Sequence, residues 1–177
     1  PRVRNFSVAV TEAHGEVEHW EEPLLSTKLA SAYGVSRQEL MQVRCNSCHR
    51  QDEETPGMDL LDLGKKSVEE KPCIVCHVIA GEGGLAGPEL TYAGDKNAEF
   101  LDFTHVNGEH TALNWHIRHF QDPQEVVPGS AMPPLGVDDK EARALALLIV
   151  SWTRQSFPPE YIPPARKPTL AGVPPIV

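Results

Sequence analysis

Two short segments carry the same reactive pattern, Cys45-Asn-Ser-Cys48-His49 and Cys73-Ile-Val-Cys76-His77, and together they use all 4 cysteines of the chain. Two thiols three positions apart can add to the two vinyl groups of a porphyrin as thioethers. The histidine directly after them then offers an imidazole nitrogen to the iron, and Cys-x-x-Cys-His is the attachment pattern of c-type haem. A four-cysteine zinc site is the main rival. Zinc sites of that kind space their pairs by about 15–20 residues, whereas 24 residues lie between Cys48 and Cys73. Disulfides are a weaker rival, since Cys-x-x-Cys marks redox or metal chemistry more often than a structural staple. Neither rival asks for a histidine after both pairs. With 8 histidines in 177 residues, chance would place both with odds of about 1 in 500. These residues therefore read as two haem c groups, held by Cys45, Cys48, Cys73 and Cys76, with His49 and His77 as iron ligands.

The elements that must position these groups are short. Ser26 to Tyr33 predicts one helix. Ser36-Arg-Gln-Glu39 is a capping box opening a second, from Arg37 to about Cys45, which leads straight into the first motif. Asp59 to Lys66 predicts a third, and Gly81 to Pro88 a glycine-rich loop. Thr111 to Gln121 has helical spacing and ends ahead of Asp122-Pro123. The segment from Val126 to Pro134 holds Met132 among prolines and suits neither helix nor regular strand. Asp138 caps a last helix, with Glu141 three positions on and Ala142, Leu145, Leu148, Ile149 and Trp152 along one side. No strand pattern stands out.

Composition agrees with this economy. Apolar residues make up 40% and aromatics 6%, a thin core that two porphyrins would supplement; the chain without them is expected to lose its fold. Of 16 prolines, 11 follow residue 122, so much of the C-terminal third is loop or extended chain. The net charge of −9 excludes the basic footprint of a nucleic-acid binder. The longest apolar run, Ala144 to Val150, is 7 residues, against the roughly 20 that span a bilayer. No signal peptide or initiator Met is present, as expected of a processed or trimmed chain.

From Cys73 to Trp152 the pieces resemble a class I cytochrome c domain, in that family's order: Cys73-x-x-Cys76-His77, then Gly87-Pro88-x-Leu90, then Pro-Gly-Ser-Ala-Met132-Pro-Pro, then the closing helix with Trp152. The resemblance implies that Met132 is the second axial ligand of the second haem, that Gly87 and Pro88 shape the turn supporting His77, and that the haems are attached outside the cytoplasmic membrane. Residues 115–134 are similar to the cytochrome subunits of cbb3-type oxidases and related respiratory complexes. The expected fold is mainly α, a class I cytochrome c-like helical domain with a second c-haem packed at its N-terminal side and long Pro-rich loops. Its organisation is read as an N-terminal arm (1–25), a compact dihaem unit (26–157, the first haem in 26–66 and the second in 67–157) and a Pro-rich extended tail (158–177).

The first haem lacks an obvious distal ligand. Residues 97–111 look like an insertion relative to a compact class I domain, and they bring His105 and His110. His110 is the leading candidate. His105 and His119 stand as alternatives, with His116, His14 and His19 behind them. Met58 echoes Gly87-Pro88 through Gly57-Met58, which puts it on the proximal side, and Met41 reads as core. With 28 residues from one motif to the next, the haems are expected near contact, the first clasped by residues 1–50 and the insertion.

The expected function is electron transfer rather than catalysis. The expected setting is the periplasm or the outer face of the cytoplasmic membrane, with redox protein partners that present a basic docking face. The Pro-rich tail and N-terminal arm favour a subunit of a membrane-associated complex over a soluble shuttle. The rival class is a dihaem peroxidase-like enzyme, which requires an open site at the first haem.

Overall fold

The computed structural model describes residues 30, 33–46, 49–96 and 98–154. The expected arm with His14 and His19, most of the helix expected from Ser26, the thiol of Cys48 and the Pro-rich tail lie outside the described residues. The helices are α1 (Arg37–Cys45), α2 (Asp59–Glu70), α3 (Cys73–Cys76), α4 (Ala112–Gln121), α5 (Pro123–Val126) and α6 (Asp139–Ser151). Two 3-10 turns, Ala93–Asp95 and Ala98–Phe100, lie between α3 and α4.

Caps explain where the helices begin. Ser36 Oγ accepts the Glu39 N–H and the Glu39 carboxylate accepts the Ser36 N–H, so the expected capping box opens α1. Thr111 caps α4 through the Asn114 N–H, and Asp138 caps α6 through the Glu141 N–H. Asp122 closes α4 and caps α5, whose first residue is Pro123, where a missing N–H costs nothing.

Helix α6 is the axle of the fold. Helices α1, α2 and α4 all pack on it, and its Ala144, Leu145, Leu147, Leu148 and Ile149 are buried. Leu145, Leu147, Leu148 and Ile149 meet Leu40 of α1, Leu61 of α2, and Leu113 and Phe120 of α4 in one core with Met58 and Trp152. Met41 is buried as well, so both N-terminal methionines are side chains of the interior. Helix α2 extends to Glu70, four residues beyond the expected end. Its continuation buries Ser67, and it stops where Lys71 turns to φ −99°, ψ 148° before Pro72, the extended backbone that a following proline enforces.

At the α2–α6 crossing the chain uses Gly64. A Cβ there would lie 2.7 Å from the Ala144 carbonyl oxygen and 3.1 Å from Leu148 Cβ, so only glycine admits this approach. A short antiparallel hairpin, unforeseen in the sequence, pairs Val78 with Gly83 and Ile79 with Glu82. Two residues per strand are too few to show a period of two. Its turn places both Ala80 and Gly81 at positive φ, 54° and 87°. Among the described residues no helix is long and apolar enough to cross a membrane.

Candidate haem-binding site

The second motif is a single helical turn. Cys73 to Cys76 form α3, and the His77 N–H closes onto the Cys73 carbonyl at 2.9 Å before the backbone turns extended. His77 Nδ1 lies 2.8 Å from the Pro88 carbonyl oxygen. A carbonyl can only accept, so Nδ1 carries the proton and Nε2 keeps its lone pair. Gly87 makes this contact possible, because a Cβ on it would sit 2.6 Å from His77 Nδ1 and 2.9 Å from Nε2. The Gly87 N–H is tied back to the Cys76 carbonyl at 2.7 Å. Burial pushes the Cys73 thiol above its ordinary pKa.

Met132 lies on an irregular loop between α5 and α6. Val127-Pro128-Gly129-Ser130 forms a turn closed by Ser130 N–H to the Val127 carbonyl at 2.9 Å, with Gly129 at φ 82°. Proline then glycine at the central positions is the type II signature. The Met132 N–H reaches Ser130 Oγ at 3.2 Å, and its side chain packs half-buried against the core. Farther along, Lys71 at the end of α2 donates to the Leu135 carbonyl at 3.3 Å and pairs with Glu141 at 3.3 Å. The loop is thereby tied to the helix that leads into Cys73.

Helix α4 carries two imidazoles, one of them beside His77. His119 stacks on Trp115 at 4.6 Å between centroids, and His116 meets the Trp115 edge at 5.1 Å. The indole N–H donates to the Asp102 carbonyl at 2.9 Å. Burial, with His77 and Lys96 nearby, pushes His119 down to about 4. Burial, with His119 and Lys96, pushes His116 down to about 3. Both rings are neutral at pH 7. His119 Nδ1 is buried without a hydrogen-bond partner.

The first motif repeats one backbone contact of the second. Cys45 ends α1, and the His49 N–H closes onto the Cys45 carbonyl at 3.0 Å. Asn46 between them is fully buried and donates to Ser151 Oγ of α6 at 2.7 Å. His49 Nδ1 lies 2.6 Å from the Asp52 carboxylate, which again fixes the proton on Nδ1. Lys65 of α2 donates to the His49 and Asp52 carbonyls, each at 2.8 Å, clamping the turn. Arg50 points the other way. It donates to the Thr91 carbonyl at 2.8 Å and lies 5.0 Å above the Trp152 ring, joining the first motif to the framework of the second.

These residues fit haem c. Cys73 and Cys76 are outside any disulfide, His77 keeps its Nε2 lone pair, and the buried Nδ1 of His119 faces no protein partner. No cluster of three or more His, Cys, Asp or Glu able to share a metal ion occurs among the described residues. His119 lies with His77, Trp115 and Phe120. His110 stacks on Phe103 at 5.0 Å inside the inserted segment, and His105 lies near Asp102. Met58 is fully buried in the core. Sequence reasoning missed Asp52, Lys65 and Arg50. A carboxylate three residues past a motif histidine was the available signal.

A helical fold built on a Cys-x-x-Cys-His turn, a backbone-anchored histidine and a proline-rich methionine loop defines a class I cytochrome c-like domain. The profile of the cytochrome c family matches residues 61–153, and the chain belongs to that family. The first motif lies ahead of the matched region. The chain is similar to cytochrome c oxidase subunit 2 of Alkalihalophilus pseudofirmus, at 32% identity over 94 residues, which covers 50% of this chain and 25% of that protein. It thus spans about a quarter of that relative's length. No solved structure matches.

Proposed function

We propose that this chain transfers single electrons through two covalently attached haems c, outside the cytoplasmic membrane, as a subunit of a respiratory or photosynthetic complex. One observation carries the count of two. Both motifs close the same histidine-to-cysteine backbone hydrogen bond, at 3.0 and 2.9 Å, and both histidines donate from Nδ1. When bound, haem supplies a one-electron iron couple. Cys45, Cys48, Cys73 and Cys76 would attach it, His49 and His77 would each offer an imidazole nitrogen to the iron, and Met132, on a loop stiffened by prolines, would offer its thioether at the second site. A thioether ligand raises the potential relative to a second imidazole. His110, with His105 as alternative, is proposed for the distal position of the first site, since His119 lies beside His77.

The location follows from where the family attaches haem, and the subunit role from the oxidase-subunit similarity and the Pro-rich tail. The −9 charge suits a basic docking face on the partner.

The test is intact mass and pyridine haemochrome on the purified protein, followed by paramagnetic resonance of the oxidised form and carbon monoxide addition to the reduced form. Two haems per chain, both low-spin and indifferent to carbon monoxide, support the proposal. One haem per chain sinks the count. Carbon monoxide binding at the first site turns the function toward peroxide chemistry.

A further inference from the structure

The two motif histidines share a backbone geometry but not a partner. His77 Nδ1 donates to the neutral Pro88 carbonyl at 2.8 Å, while His49 Nδ1 donates to the Asp52 carboxylate at 2.6 Å. An imidazole hydrogen-bonded to an anion is a more basic, more electron-rich ligand than one bonded to an amide. It therefore favours the oxidised, more positive iron.

Three features make the Asp52 contact a built one. The Asp52 N–H returns to the His49 carbonyl at 3.2 Å. Lys65, itself only 10% exposed, bridges the His49 and Asp52 carbonyls. Arg50, between them, is drawn to Thr91 and Trp152, so the turn cannot swing away from Asp52 without breaking that anchor.

We infer that Asp52 is a positioning residue that sets the couple at His49 below the couple at His77, so that the first electron to enter settles at the second site. This rests on the two-haem reading above. Asp52 acts through the His49 ring and touches no reacting atom. The methionine at the second site works in the same direction, so the two sites are separated from both ends.

The test is a spectroelectrochemical titration of the full holoprotein and of three variants, with haem counted by mass in each. Asp52→Asn replaces the anion with an amide acceptor of the same shape and makes the first site resemble the second. It is expected to raise the lower midpoint by about tenfold in the oxidised-to-reduced preference, about 59 mV for one electron, while the higher midpoint stays put. Asp52→Ala, lacking any acceptor, moves the same midpoint at least as far. Glu53→Gln removes an equal charge from an exposed side chain one position away and leaves both midpoints in place, which separates the hydrogen bond from general acidity. Two haems with an unmoved lower midpoint in Asp52→Asn, or an equal shift in Glu53→Gln, overturn the inference alone. One haem in the unaltered protein overturns the two-haem reading and the inference with it.

Discussion

Replacing Gly64 with alanine sets two effects of opposite sign against each other. In a helix interior alanine is favoured over glycine by about 1 kcal/mol, so by propensity alone the variant is stabilised. The structure opposes this. The new Cβ would stand 2.7 Å from the Ala144 carbonyl oxygen, 3.1 Å from its carbon and 3.1 Å from Leu148 Cβ. Two of those atoms belong to the backbone of α6 and have no rotamer into which to retreat. To restore ordinary contact the helices must separate by several tenths of an ångström, and a gap of about 0.5–1 Å forfeits a quarter to a half of each dispersion well along the interface. Leu61, Leu147 and Leu148, each at most 1% exposed, lie along it. Overpacking costs about 1–3 kcal/mol, and a clash against backbone atoms that cannot retreat belongs in the upper half of that range, about 2–3 kcal/mol. The net expectation is therefore a loss of about 1–2 kcal/mol after the propensity gain. For a chain of this size that is a fall of about 2–8 °C in Tm. The assay is thermal and denaturant unfolding of the holoprotein, with Lys66→Ala on the exposed face of the same helix as a control expected within about 0.5 kcal/mol. An unchanged or raised Tm for Gly64→Ala would refute the close crossing and return Gly64 to the status of an incidental helix glycine.

Three further outcomes follow from the same structure. Burial raises the Glu39 carboxyl, but the Arg143 hydrogen bond and the Ser36 cap outweigh it and hold the group below its ordinary value of 4.5. The contact is therefore stabilising above the unfolded pKa and is lost as pH falls through and below it. Denaturant midpoints should drop between about pH 5 and 3 by an amount worth about 1 kcal/mol, and Glu39→Gln should flatten that part of the profile. Met132→Ala should leave covalent haem content intact while the reduced protein gains carbon monoxide binding and the higher midpoint falls, read by optical titration. Ser151→Ala removes the acceptor of the buried Asn46 amide, whose Oδ1 already lacks a partner. The expected cost is about 1–3 kcal/mol, measured by chemical denaturation.

Much of this was legible in the residues. The capping box of Ser36, the Asp138 cap and the stop at Asp122-Pro123 are local devices, in which side chains or a missing N–H act on backbone groups a few positions away. The Cys-x-x-Cys-His pairs are legible for the same reason, since one helical turn contains all their chemistry. The class I order from Cys73 to Trp152 adds the fold, which the family match over residues 61–153 bears out.

What the sequence could not state are the contacts between segments far apart in it. Nothing near Gly64 announces Ala144, 80 residues on, and nothing near Arg50 announces Thr91 and Trp152. Met58, whose neighbours imitate Gly87-Pro88, was drawn instead into the core by packing. His119, weighed as a ligand for the first site, stands beside His77 because α4 lies along α6. The chain by itself thus determined the chemistry its local motifs can perform and the helices that carry them. Tertiary structure decided which groups surround each imidazole, because hydrogen bonds and burial depend on what folding brings within a few ångströms, and a linear spacing does not encode that distance.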